Sequence, residues 1–347
     1  MTGKNSTKER TKLMNAKNGV YTSYDLEAAK ILDDFLPEKM FDAHMHHCHQ
    51  GVRTNPDDFS QYKADFRPLA GDREMTVNMM GCPETGMVDP VSGLPNEFFQ
   101  NSVDIIKDQL TLHPEICGAV LVCPADTPED IEKRMAYIGC SNLTGLKVYH
   151  ELSVARKDTF QCEAGEFLPE SAWETAEKHR LTITLHMVKD KALADPSNQA
   201  YICDHAKRYP DAKFILAHCA RGFAPWTVME SIDKVTKYDN IFFDFSGVCE
   251  SPQMFTIIKK AGIEKCMWGS DWTVSRLAGK CISIADTFYW IGEKDLARMT
   301  GNTAFHSWLV GTENLMAVRQ AAQMLELSRT DVEKFFYKNA ERIFLGK

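Results

Sequence analysis

The amino-acid sequence predicts a (β/α)8 barrel, and three observations carry that prediction. Eight short apolar runs recur along the 347 residues, their starts roughly 25 to 40 residues apart. Each run is near-continuous in apolar residues and rich in β-branched or aromatic types, as strands buried on both faces of a parallel sheet are. Amphipathic segments with helix start and stop signals separate them, and eight strand–helix units suit a closed barrel better than an open sheet.

Residues 1–38 read as an N-terminal helical extension, with YDLEAAKILDDFL as its amphipathic part. The runs then follow as MFDAHMH (40–46), MTVNMM (75–80), ICGAVLVCP (116–124) and LTGLKVYH (143–150). They continue as LTITLHM (181–187), KFILAHCA (213–220), IFFDFSGV (241–248) and CMWGSDW (266–272). MTVNMM is the weakest of them and also reads as a loop. Between the runs, DTPEDIEKRMAYIG and LPESAWETAEKHR carry acidic residues early and basic residues late, matching the helix dipole. SPQMFTIIKKAG opens with Ser-Pro and closes on Gly, as a capped helix does. Residues 281–347 read as helical throughout, closing the barrel and covering one side. No linker or repeat divides residues 39–347, which read as one domain.

Composition narrows the function classes. Forty basic residues against forty-eight acidic ones leave a net charge of −8 without a basic block, which disfavours nucleic acid and anionic membrane as partners. No apolar run approaches the eighteen or so residues of a membrane span. The N-terminal MTGKNSTKERTKLMNAKNG is basic and polar and lacks the apolar core of a signal peptide. Eleven scattered cysteines without a CxxC pair read as reduced, mostly buried thiols, not as a disulfide framework or a structural zinc cluster. The expectation is a cytoplasmic protein with a small-molecule substrate, and a homo-oligomer is possible.

FDAHMHHCHQ, residues 41–50, places four of the chain's eleven histidines within six residues. A strand alternates its side chains, so His44 and His46 point one way and Met45 the other. Both histidines end the first run, and in an α/β barrel that end is the mouth where chemistry is found. His186 ends the fifth run, His218 the sixth and Asp271 the eighth. A lone histidine ending an apolar run is most often a satisfied core residue. Five potential ligands at strand ends of one barrel converge on one mouth. That set suits one borderline divalent ion, zinc first, with manganese or iron as alternatives. His47 and His49 lie past the strand end and read as loop residues that at most line the pocket. His113, His150, His179, His205 and His306 fall in helices or loops and need no functional reading.

The order HxH, His, His, Asp resembles the signature of the amidohydrolase superfamily. In detail it is most similar to the amidohydrolase-2 branch, which includes the aminocarboxymuconate-semialdehyde decarboxylase-like enzymes. FDAHMH, AHCARG, FDFSG, GSDW and the terminal FFYKNAERIF carry the resemblance from about residue 40 to the C-terminus. It implies His44, His46, His186 and Asp271 as ligands of one metal and His218 as a nearby general acid or base, or a group polarising the substrate. Asp271 would also accept a proton from water. The stretch DREMTVNMMGCPETGMVDP and the N-terminal extension match no feature of that branch.

Lys147 ends the fourth run and admits two readings. Some branches of the superfamily carry a carboxylated strand-four lysine bridging two metals; otherwise Lys147 pairs with a carboxylate or an anionic substrate, and this second reading is preferred. Tyr149 shares its face. Arg221, three residues beyond His218, is a candidate anion binder or a surface arginine. Asp244, between Phe243 and Phe245, reads as a structural hydrogen-bonding residue, and Trp272 as a packing residue. The resulting expectation is a metal-dependent hydrolase in which activated water attacks an amide, ester or lactone bond of a small organic acid. Non-oxidative decarboxylation of an aromatic or unsaturated carboxylic acid uses the same constellation. A non-catalytic scaffold barrel would be expected to have lost ligands, and none of these positions is missing.

Overall fold

A computed structural model describes residues 21–48, 55–84, 86–155, 158–301 and 306–347. The eight apolar runs become one eight-stranded sheet whose spatial order is the chain order. Its strands are β1 (Lys39–His46), β2 (Glu74–Met80), β3 (Cys117–Leu121), β4 (Leu143–Val148), β5 (Thr182–Leu185), β6 (Lys213–Leu216), β7 (Ile241–Asp244) and β8 (Cys266–Met267). Every neighbouring pair is parallel. MTVNMM is a strand after all. All residues of β3, β5 and β7 are buried, as strands between a filled barrel and a helical shell must be.

The helices follow their sequence signals. Pro128–Ile138 starts on Thr127, whose hydroxyl and Asp130 form a reciprocal capping box, and stops at Gly139 in the left-handed conformation. Glu170–His179 and Ser251–Ala261 likewise occupy the expected segments, the latter with Pro252 in its first turn and Gly262 beyond its end. At the N-terminus the described helix is Ser23–Asp33; residues 1–20 of the expected extension lie outside the described residues. Its buried Asp25 accepts the Leu309 N–H at 2.9 Å and the Thr312 hydroxyl at 2.8 Å, which ties it to the helix Val310–Met324.

One expectation is corrected. Residues 281–347 are not helical throughout: β9 (Lys280–Ile284) and β10 (Thr287–Ile291) form an antiparallel hairpin before the C-terminal helices. The reason is local. CISI and TFYWI are β-branched and aromatic runs flanking a two-residue turn, with Ala285 at φ 54 supplying the positive dihedral such turns require.

Two features of the barrel position its mouth. Phe41 and Ala43 of β1 join Cys117, Ile215, Phe242 and Met267 in an interior apolar cluster, sealed below by Ala340, Ile343 and Phe344. Met40 and Met45 instead pack in the larger cluster with the outer helices. Strict alternation from Phe41 would send position 45 inward; the β1–β2 register shifts between Asp42 and Met45, and His44 and His46 take the inward places. Secondly, the ring closes between its last and first strands without a regular ladder. Ala43 N–H donates to Trp268 O (3.0 Å), Asp271 N–H to His44 O (2.8 Å) and His46 N–H to Trp272 O (3.1 Å). No helix among the described residues is long and apolar enough to cross a membrane.

Candidate metal centre

The histidines at the mouth are oriented by partners that can only accept. The Nδ1 of His44 lies 2.9 Å from Asp244 Oδ2, and the Nδ1 of His46 lies 3.0 Å from the Gly81 carbonyl oxygen. The Gly81 carbonyl and an ionised Asp244 require a proton on each Nδ1, so each neutral ring presents its Nε2 lone pair. The two Nε2 atoms face each other at 3.2 Å, and Asp271 Oδ1 lies 3.8 Å from both. Three electron-rich atoms so close call for positive charge beside them; the Lys147 Nζ lies 3.2 Å from His44 Nε2, and a metal ion held by the three atoms would serve the same end. Ligands 2.0–2.1 Å from a tetrahedral zinc would be about 3.3 Å apart; the imidazole pair at 3.2 Å matches, and Asp271 Oδ1 at 3.8 Å stands somewhat wider. His44, His46 and Asp271 are therefore the group able to hold a metal ion.

A second cluster, His44, His218 and Asp244, is equally compact. Its atoms are already engaged: Asp244 accepts from His44 Nδ1 and, through Oδ1, from the backbone N–H groups of His218 and Ser246 (3.1 Å each) and from the Ser246 hydroxyl. Burial opposes ionisation of Asp244, yet the hydrogen bond from the His44 imidazole, with the neighbouring His218 and Ser246, holds its carboxyl well below the usual range. It acts as the buried anchor that orients the histidines. Burial and the Lys147 charge push His46 well below its ordinary value, keeping the imidazole neutral.

His218 leaves β6 by an uncommon backbone route. His218, Cys219, Ala220 and Arg221 all take positive φ (56, 54, 58 and 54°), a single left-handed turn closed by Gly222 N–H to His218 O at 2.9 Å. Each such L-residue costs about 1–2 kcal/mol, and the turn is wholly buried. Its effect is to place the His218 ring centroid 4.8 Å from that of His44 and 5.1 Å from that of His186. His218 Nδ1 donates to Ser246 O at 3.0 Å and lies 3.9 Å from Asp271 Oδ2, while its Nε2 bonds no described residue. Burial pushes its pKa down to about 4. Asp271, itself at φ 53, faces Gly247, where an added Cβ would come within 3.2 Å of Oδ2.

The remaining candidates divide. Lys147 is fully buried and its Nζ lies 3.2 Å from His44 Nε2, beside the candidate ligands. Tyr149 packs its ring on His186 (4.5 Å between centroids) and on His150 (4.6 Å). His186, one residue past β5, stands beside the centre through its ring contacts and joins neither close cluster. Arg221 is buried, not a surface arginine: its guanidinium donates to the Lys189 carbonyl and lies over the rings of Phe160 and Phe288, at 5.3 and 5.4 Å. Trp272 is buried and packs edge-on against Tyr62. His47 is held by Ser102 Oγ at 2.7 Å and the Cys82 N–H at 3.1 Å. His49 lies outside the described residues. Of the histidines set aside on sequence, His150 belongs at this wall, its ring 5.5 Å from that of His186. Only its neighbour Tyr149, read as pocket-lining, hinted at it.

The amidohydrolase-2 family model, described as amidohydrolase, matches residues 42–345, nearly the whole barrel. The chain belongs to this family of amidohydrolases. Comparison with curated proteins finds no match. Among solved structures, an amidohydrolase from Burkholderia multivorans aligns with a TM-score of 0.58 with HEPES bound and 0.56 with zinc bound, at 11% and 12% identity. Both alignments cover 88% of this chain and 99% of that one. The 5-carboxyvanillate decarboxylase from Sphingomonas paucimobilis aligns at 0.52 and 14% identity, covering 89% of this chain and 99% of its own. At such identities the likeness is one of fold.

Proposed function

We propose that this amidohydrolase is a metal-dependent hydrolase that cleaves an amide, ester or lactone bond in a small organic acid. The observation that carries the proposal is the convergence of His44 Nε2, His46 Nε2 and Asp271 Oδ1, with both imidazole tautomers fixed for ligation. His186 is the fourth ligand in this reading, and the ion is single, zinc before manganese or iron. When bound, such an ion lowers the pKa of water and polarises a substrate oxygen. Asp271 faces the ligand group with Oδ1 and turns Oδ2 toward the His218 ring, which leaves Oδ2 to take a proton from water. His218, neutral and with Nε2 unengaged by any described residue, serves as the proton carrier toward the leaving group. The Lys147 ammonium binds the substrate's anionic group.

A second reading, decarboxylation of an aromatic or unsaturated carboxylic acid, draws on one observation. Lys147 is a buried cation among the ligands, where it can hold a carboxylate. Arg221 adds less to it, since its guanidinium is engaged by the Lys189 carbonyl. The decisive assay presents metal-loaded full-length protein with carboxylate-bearing lactones, esters and amides, and separately with aromatic carboxylic acids. Acid release without carbon dioxide supports hydrolysis, and carbon dioxide release supports the second reading. Protein that binds no divalent ion and turns over neither class overturns both.

A further inference from the structure

The candidate ligands straddle the weakest joint of the barrel. His44 and His46 belong to β1, Asp271 lies beyond β8, and between those strands only individual hydrogen bonds close the ring. At the irregularity in β1, the backbone N–H of His44 leaves the ladder and needs an acceptor elsewhere. Asp42 supplies it. Its Oδ1 accepts the His44 N–H at 2.9 Å and, across the joint, the Ser270 N–H at 2.8 Å. One fully buried carboxylate oxygen thus holds the residue bearing one ligand and the residue preceding another. Ser270 extends the grip by accepting the Trp272 N–H on its hydroxyl at 3.0 Å, so Asp271 is fastened on both sides. Gly269 lets the two segments approach: a Cβ there would sit 2.8 Å from that of His44.

From this geometry we infer that Asp42 is a positioning residue of the metal centre, setting the separation of His44 and Asp271 by clamping β1 to the loop after β8. It touches neither ion nor substrate. The inference rests on His44, His46 and Asp271 holding a metal, and its test keeps the two apart.

Metal-free full-length protein is titrated with zinc against a chromophoric chelator, and with cobalt(II) while its visible absorption is recorded. Asp42→Ala removes the shared acceptor and is expected to weaken zinc by about 10–100-fold, the usual cost of losing a partner that orients a ligand, and to change the cobalt spectrum. Asp42→Asn keeps a carbonyl oxygen at the same place and is expected to restore both. Asp42→Ser, with one acceptor oxygen on a shorter arm, gives an intermediate loss and serves if Asp42→Ala does not fold. A residue that merely supported the fold would lower the thermal stability of the metal-free protein and leave zinc affinity and cobalt spectrum alone; that result, in Asp42→Ala or Asp42→Ser, overturns the inference and leaves the metal site standing. Wild-type protein that takes up neither ion overturns the metal reading, and the inference with it.

Discussion

The two ends of the barrel interior are built from the same strands and do opposite work. At the floor, Phe41, Ala43, Ile215, Phe242 and Met267 close on Ile343 and Phe344 of the C-terminal helix. A few ångströms further along β1 and β6 the chain turns to His44, His46 and His218, whose polar atoms are oriented by Asp244, Gly81 and Ser246. Hydrophobic packing needs no direction, so the floor can be assembled from side chains of roughly the right volume. The mouth depends on lone pairs aimed at a common point, and it obtains them through a register shift, a left-handed turn and a buried carboxylate. Stability should therefore reside in one end and chemistry in the other, and five substitutions probe that separation.

The largest effect is expected at the mouth. His44→Ala should abolish both bound metal and turnover while circular dichroism stays native, because no apolar packing depends on the imidazole. His186→Ala should cut metal content in the same way; full retention of metal would remove His186 from the ligand set. His218→Asn should keep the metal and lose about 10²–10⁴-fold in turnover, the usual contribution of a proton-transfer group. Metal analysis beside the rate measurement checks it, and a variant stripped of metal would make His218 a ligand. At the floor, Phe344→Ala should cost about 3–5 kcal/mol in denaturant unfolding with zinc affinity unchanged, since Phe344 stacks on Phe41 at 5.6 Å, away from the ligands. A fall in metal affinity there would show that the two ends are coupled. The smallest effect is expected from Lys147→Met. It should retain about one metal per chain and weaken binding of an anionic substrate by roughly 10–100-fold, the worth of a charge-assisted hydrogen bond. Two metals per wild-type chain, reduced to one in this variant, would make Lys147 a bridging carbamate.

Legibility in the sequence divided along the same lines. The strands were readable because a parallel strand buried on both faces must be continuously apolar; MTVNMM, the weakest run, lies in a strand whose first three residues are not buried. His44, His46, His218 and Asp271 were readable as polar residues interrupting or ending such runs. The hairpin at 280–291 was misread as helix although CISI and TFYWI bear the aromatic and β-branched signal, because the segments that follow it, Glu293–Thr300 and Val310–Met324, are helical. Asp42 had no signal of its own: its role follows from a register shift that only the pairing of β1 with β2 determines. The left-handed turn at His218–Arg221 runs against the intrinsic preference of all four residues, so no local rule could announce it. His150 was missed because it lies past the end of β4, and its place beside His186 follows from a tertiary contact between segments distant in sequence.

The joint between first and last strands also sets when, in the life of the chain, the site can exist. Asp42 and Ser270 are 228 residues apart. At about 5–20 residues per second of synthesis, the ribosome needs on the order of ten to forty-five seconds after making the HxH pair before Asp271 is available. During that interval the barrel cannot yet close. On the proposed metal reading, His44 and His46 alone would be an incomplete chelate until Asp271 arrives, and ion selection by the full set would be a property of the finished chain.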